Sequence, residues 1–124
     1  MSKLLKKKKT TTKWHRVHIF MKEKKTNPNM KKQDPEEHPA WIFEQSRTHY
    51  KGIHFTSHPT TRGEPNVELK HNIDPNERVK KSFAVPYRAP RPKKDYQLPD
   101  KEYRIHKDDK AKVNALKYPN KKGR

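Results

Sequence analysis

No cysteine occurs among the 124 residues. That absence excludes a disulfide scaffold, a thiol nucleophile and any zinc module with cysteine ligands. Glycine is nearly missing too. With only Gly52, Gly63 and Gly123 in the chain, no glycine-rich phosphate loop and no dinucleotide fingerprint can be written. Long apolar runs are absent: the longest is Ala40-Trp41-Ile42-Phe43, far short of the roughly 20 residues that span a bilayer. Leu4-Leu5 is too short for the apolar stretch of a signal peptide, so a cytoplasmic protein without membrane partners is expected. Only 27% of residues are hydrophobic, which limits the chain to one small core. Acids are also scarce, 14 against 32 Lys+Arg, for a net charge of +18.

The excess charge lies in two wings. Residues 1–32 carry 12 bases and one acid, residues 33–78 carry 5 bases and 8 acids, and residues 79–124 carry 15 bases and 5 acids. The chain therefore reads as a flexible basic arm over 1–32, a small β domain over 33–88 and a basic, proline-containing extension over 89–124. Such a balance points to a polyanion as partner, RNA before DNA. Lys6, Lys7, Lys8, Lys9 and Lys13 have nothing beside them to bury and are expected to lie on phosphates, releasing counterions. The same run would also serve as a solubilising or targeting tail. Trp14, Val17, Ile19 and Phe20 alternate imperfectly, as a short strand or a hydrophobic anchor would.

The balanced middle alternates with a period of two. Ala40–Gln45 sets Trp41 and Phe43 against Ile42. Tyr50–Ser57 sets Ile53 and Phe55 against Gly52, His54 and Thr56. Asn66–Asn72 groups Val67, Leu69 and His71, and Ser82–Arg88 groups Phe83, Val85 and Tyr87, with Pro86 marking an edge or a bulge. Residues 57–66 read as a loop, and 73–77 as a turn around Pro75. Beyond Arg88, the prolines predict an extended segment carrying Arg91, Lys93 and Lys94, which fits a phosphate backbone. Tyr103 and Ile105 suggest a last strand, and Asp108 or Asp109 starts a short helix with Val113 and Leu116 on one side. The expected fold is mostly β (α+β): a small sheet or partial barrel of about four short strands, a short C-terminal helix and disordered basic tails.

Eight histidines raise the question of a metal. The pairs His54/His58 and His15/His18 lack further ligands nearby in sequence, whereas zinc needs three or four that converge. No metal and no cofactor are expected, and no small-molecule ligand. His54, Thr56, Ser57, His58 and Arg62 form the densest chemical cluster, with Lys70 and His71 on the following strand. Cleavage of RNA at its own 2′-hydroxyl needs a base, an acid and a cation for the charged phosphorane, and imidazoles with an arginine supply all three. The same groups suit a loop that only binds phosphate. Binding is the first reading and metal-independent cleavage the second. A Ser–His nucleophile has no carboxylate orienter in sight. Trp41, Phe43, Phe55 and Phe83 are assigned to the core, and Tyr87 and Tyr96, beside Arg88 and after Lys93-Lys94, to base stacking.

Four strings carry a family likeness: His38-Pro39-Ala40-Trp41, Ile53-His54-Phe55-Thr56-Ser57-His58, Val67-Glu68-Leu69 and Asn72-Ile73-Asp74-Pro75. Together they resemble small basic proteins of Gram-positive bacteria and their mobile elements. A strand ending in Thr-Ser, then a loop before a Val-x-Leu strand, is also similar to the small barrel of PemK-like and ToxN-like endoribonuclease toxins. That second resemblance covers about residues 38–88 and implies an RNA-cleaving site near Thr56, Ser57 and Arg62. A structural role in a ribonucleoprotein of the ribosomal kind, with basic tails threading RNA, is the remaining alternative.

Overall fold

The computed structural model describes residues 13–24, 38–77 and 80–118. Lys6, Lys7, Lys8 and Lys9, with the rest of the two expected basic tails at 1–12 and 119–124, lie outside them. Three long strands form the centre: β1 (His15–Glu23), β2 (Pro39–Gln45) and β3 (His49–Thr56), paired antiparallel in that order. β2 and β3 are joined by a tight turn whose organiser is the buried Ser46. Its hydroxyl accepts the N–H of Thr48 at 3.3 Å and of His49 at 3.1 Å, and its own N–H donates to the His49 carbonyl at 2.9 Å. Both ladders slip near Phe43, between Arg16 and Ile19 on β1 and between Ile42 and Glu44 on β2. Bulges of this kind add twist to a sheet.

Short pairings extend this centre. β4 (Thr60–Thr61) and β5 (Glu64–Pro65) make a separate two-stranded ribbon. β6 (Val67–Glu68) pairs with β7 (Phe83–Ala84), β7 with the end of β3, β8 (Arg91–Pro92) with the start of β3, and β9 (Tyr96–Gln97) with the end of β1. The main sheet runs β6-β7-β3-β2-β1-β9 and is open, since β6 and β9 do not meet. Among the described residues it is mostly β with one short α-helix, α1 (Lys110–Ala115), as expected, but with nine strands rather than about four. No helix of the described residues is long and apolar enough to cross a membrane.

Alternation sorts the core into two groups. Phe43, Ile53, Phe55, Leu69, Ile73, Ala84 and Val113 cluster together, with Phe20, Trp41, Tyr87 and Leu116 packed against them. Met21, Ala40, Ile42 and Tyr96 form the second cluster. Complete burial of a Phe43 or Phe55 side chain stabilises by about 2–3 kcal/mol. Gly52 belongs to the second face, where a Cβ would stand 2.7 Å from Ile42 Cδ1, so the missing side chain lets Ile42 cross β3. α1 closes the first cluster through Val113. Asp109, immediately before the helix, is fully buried and accepts the N–H groups of Lys70 at 2.8 Å and His71 at 3.0 Å. A buried carboxylate is tolerated when backbone donors satisfy it.

Five local expectations need correction. Residues 66–72 pair only at β6, followed by the Leu69 N–H on the Ser82 carbonyl at 2.9 Å, and 82–88 pair only at β7, since Pro86 lacks the N–H that a longer ladder needs. Tyr103–Ile105 is not a strand; it is held by the Arg104 N–H on the Ile73 carbonyl at 2.9 Å. The expected loop at 57–66 contains the β4–β5 ribbon. In β7 the inward residue is Ala84, fully buried, while Phe83 is half-buried and outside both clusters. The arm expected over 1–32 also contributes β1, an interior strand flanked by β2 and β9.

Candidate phosphate-binding cleft

The polar side of β3 opens into a cleft of about 560 Å³ lined by Glu23, His38, His54, Thr56, His58, Arg62, Tyr87, Arg88 and Arg91 among others. Three structural pieces bring these residues together. Alternation on β3 turns His54 and Thr56 away from Ile53 and Phe55. The β4–β5 ribbon hangs over one side, and the extended chain from Val85 to Arg91 forms the other. Val85 is tied to β3 by its N–H on the His54 carbonyl at 2.9 Å.

The ribbon is held from below by Asn66. Its amide nitrogen donates to the His58 carbonyl at 3.1 Å and to the Thr61 hydroxyl at 2.8 Å, and its backbone N–H donates to the Pro59 carbonyl at 2.8 Å. Between β4 and β5 the turn consists of Arg62 and Gly63, both left-handed, with φ of 56° and 83°. Two positive φ values in a two-residue hairpin match the twist of the strands, and glycine takes the second without strain. Arg62 has a Cβ and does not, at about 1 kcal/mol. The ribbon thus holds an exposed arginine over the cleft in a backbone conformation other residues would relax.

His54 forms the floor. Its Nε2 lies 2.8 Å from the Tyr96 hydroxyl and 3.1 Å from Glu23 Oε2, and the same carboxylate oxygen accepts from Arg91 Nη1 at 2.9 Å. Burial, reinforced by the Arg91 and His38 charges, pushes the His54 pKa from 6.5 down to about 3. The ring is therefore neutral at pH 7, and its contact with Glu23 is a hydrogen bond rather than an ion pair. Burial likewise raises the Tyr96 phenol well above its ordinary value, so it stays protonated. With the imidazole proton on Nε2, His54 donates to Glu23; with it on Nδ1, Nε2 accepts from Tyr96. Either way Glu23 fixes Arg91, whose guanidinium lies along the cleft wall.

Across the rim Arg88 meets Glu64 at 2.9 Å in an exposed pair, and Arg62 makes no ion pair among the described residues. Glu23 is the one carboxylate in the cleft lining; Glu64 pairs with Arg88 at the rim, and Asp95 lies 4.0 Å from Arg91. An anion entering here meets fixed donors and no competing acid on the floor beyond the one already engaged by Arg91.

The residues expected at a site separate clearly. His54, Thr56, His58, Arg62, Tyr87, Arg88 and Arg91 meet in the cleft; Ser57 is exposed and outside its lining. Tyr96 is not a stacking surface: it is buried behind His54, ring on ring at 5.9 Å. Tyr87 is half in the core, edge-on to Phe43 at 5.4 Å. Lys70 is exposed beside a second cleft, Lys93 sits over the Tyr50 ring at 5.2 Å, and Lys13 and Lys94 are exposed. Glu23 and His38 were missed. Glu23 is the single acid of residues 1–32, a signal that could have drawn notice. No protein-family model, curated protein or solved structure matches the chain.

Proposed function

We propose that the protein binds RNA, taking a backbone phosphate in the cleft between Arg62, Arg88 and Arg91. The convergence of Arg62 from the β4–β5 ribbon with Arg88 and Arg91 from the extended segment onto one concavity carries the reading. A phosphate has the charge and the oxygens to accept from several guanidinium forks at once. Arg88 releases Glu64 for it at little cost, because an exposed pair is worth under about 1 kcal/mol. Arg91 arrives already oriented by Glu23. The N-terminal lysines add sequence-independent affinity, and RNA ranks ahead of DNA because an open cleft suits a single strand better than a duplex groove. The proposal places the protein in the cytoplasm, bound to RNA directly or as a component of a ribonucleoprotein.

A second reading is favoured by the neutral His54. An imidazole without its second proton can take the proton of a 2′-hydroxyl, whose oxygen attacks the adjacent phosphorus as the P–O5′ bond breaks; the departing oxygen takes a proton from water, leaving a 2′,3′-cyclic phosphate and a 5′-hydroxyl. This is the chemistry implied by the likeness to PemK-like and ToxN-like toxins. Its weakness is also physical: a ring whose pKa lies near 3 is a feeble base at pH 7. End-labelled single-stranded RNA, hairpin RNA and duplex DNA, incubated with the protein and run on paired native and denaturing gels, separate the two. The binding reading expects a shift of RNA without new fragments. Fragments that vanish in His54→Gln would establish cleavage, and no shift with any probe would overturn both.

A further inference from the structure

Away from the cleft, the structure gathers a second set of ligand atoms. His71 follows β6, while His106 caps and Asp108 lies within the 3-10 turn at Lys107–Asp109, and one ligand atom from each lies within 4.8 Å of the others. We propose that His71, His106 and Asp108 bind a divalent transition-metal ion, Zn²⁺ being the first candidate. Two imidazoles and a carboxylate are the donor set that suits zinc and its neighbours rather than calcium or magnesium.

The spacing supports coordination. Asp108 Oδ2 is 3.1 Å from His71 Nε2 and 3.6 Å from His106 Nδ1. Bonds of 2.0–2.2 Å in a tetrahedral site put neighbouring ligand atoms about 3.3–3.6 Å apart, so the first pair must open slightly and the second already fits. His106 Nδ1 already presents a lone pair, since it accepts the Asp108 N–H at 3.0 Å. Coordination takes over that lone pair. The two rings are stacked at 3.6 Å and 18°, so one ring must turn out of the stack for both in-plane lone pairs to meet one ion.

What makes this more than three neighbouring side chains is the support behind them. The fully buried Asp109 holds the backbone N–H of His71 and of Lys70, and it is covalently next to Asp108. The two stretches, 37 residues apart, are thereby locked in register before any ion arrives. All three ligand side chains remain about two-fifths exposed, at 41%, 44% and 41%, leaving the other coordination positions to water. An ion here would clamp the C-terminal extension to the β core, and this requires nothing of the RNA reading.

Isothermal titration of the full chain with ZnCl₂, in a buffer that does not chelate, tests the proposal. One ion per chain is expected, weakened by more than about tenfold in each of His71→Gln, His106→Gln and Asp108→Asn. The double variant His15→Gln/His18→Gln should bind as the parent does. Absence of stoichiometric binding by the folded parent overturns the proposal, as does binding that survives all three substitutions or is lost with His15 and His18. Should a ligand variant fail to fold, histidine Cε1–H resonances of the parent decide. Zinc must move those of His71 and His106 first, and movement confined to other histidines refutes the site.

Discussion

The two sides of β3 do different work with the same backbone. On one side Ile53 and Phe55 are sealed in the apolar cluster that Val113 of α1 joins; on the other, Gly52 makes room for Ile42 and His54 joins a hydrogen-bonded group with Glu23, Tyr96 and Arg91. The apolar side is held by many weak contacts with no direction. The polar side depends on a few directed ones, each drawing a partner from a distant stretch: β1, β8 or β9. Stability should therefore concentrate on the first side, and sensitivity to pH and to ligands on the second.

The largest effect should come from the apolar side. Phe55→Ala is expected to destabilise by about 3–5 kcal/mol in urea titrations, since the emptied volume lies under a helix and between strands. A loss below about 1 kcal/mol would mean the core tolerates the void.

Next in size is a pH effect belonging to the polar side. His54 has a folded pKa near 3 against 6.5 for the unfolded chain, so between those values the unfolded state binds more protons. Stability should be complete above pH 6.5 and fall as the pH drops, at up to about 1.4 kcal/mol per unit. Asp74, held low chiefly by the Asn76 N–H, and Asp108, held low chiefly by the His71 hydrogen bond, act in the same sense but in a lower pH window. Their contributions are present above 3.8 and fade only below it. Urea midpoints between pH 6.5 and 4.5 thus isolate His54, and His54→Gln should flatten that slope. A slope unchanged by the substitution would assign it to other histidines.

A smaller effect tests the strained turn. Arg62→Gly removes the left-handed arginine and should stabilise by about 1 kcal/mol or less, while weakening RNA binding. Gains in both would detach the strain from function. Smallest of all, Glu64→Gln frees Arg88 from an exposed pair, and stability should change by less than about 0.5 kcal/mol. RNA affinity, measured by anisotropy, should rise rather than fall.

Legibility followed the same division. Period-two alternation in 40–45 and 50–57 placed Phe43, Ile53 and Phe55 together and His54 opposite, because burial of one face leaves its mark on adjacent residues. The acid at the start of the last helix was equally visible at Asp108 and Asp109. Alternation gave no sign of where the ladders would stop: prolines cut β7 and β8 to two residues each, and the phase in 82–88 let Ala84 rather than Phe83 face inward. The cleft itself was half readable. His54, Thr56, His58 and Arg62 lie within nine consecutive residues, but Glu23 reaches His54 and Arg91 only through pairing of β1 with β2 and β9, which no local pattern encodes. Tyr96 was misassigned for that reason too, since a tyrosine after two lysines looks like a stacking surface until β9 docks on β1.

The most direct test of the account is the affinity for single-stranded RNA, measured against salt, of the full chain and of Arg62→Ala/Arg88→Ala with the N-terminal lysines intact. The account predicts affinity lower by more than about tenfold and a log–log salt slope shallower by up to about 0.7, the one cleft phosphate at 0.7. Unchanged affinity and slope, with binding abolished instead by deleting residues 1–13, would put the interaction in the lysine arm and contradict the cleft.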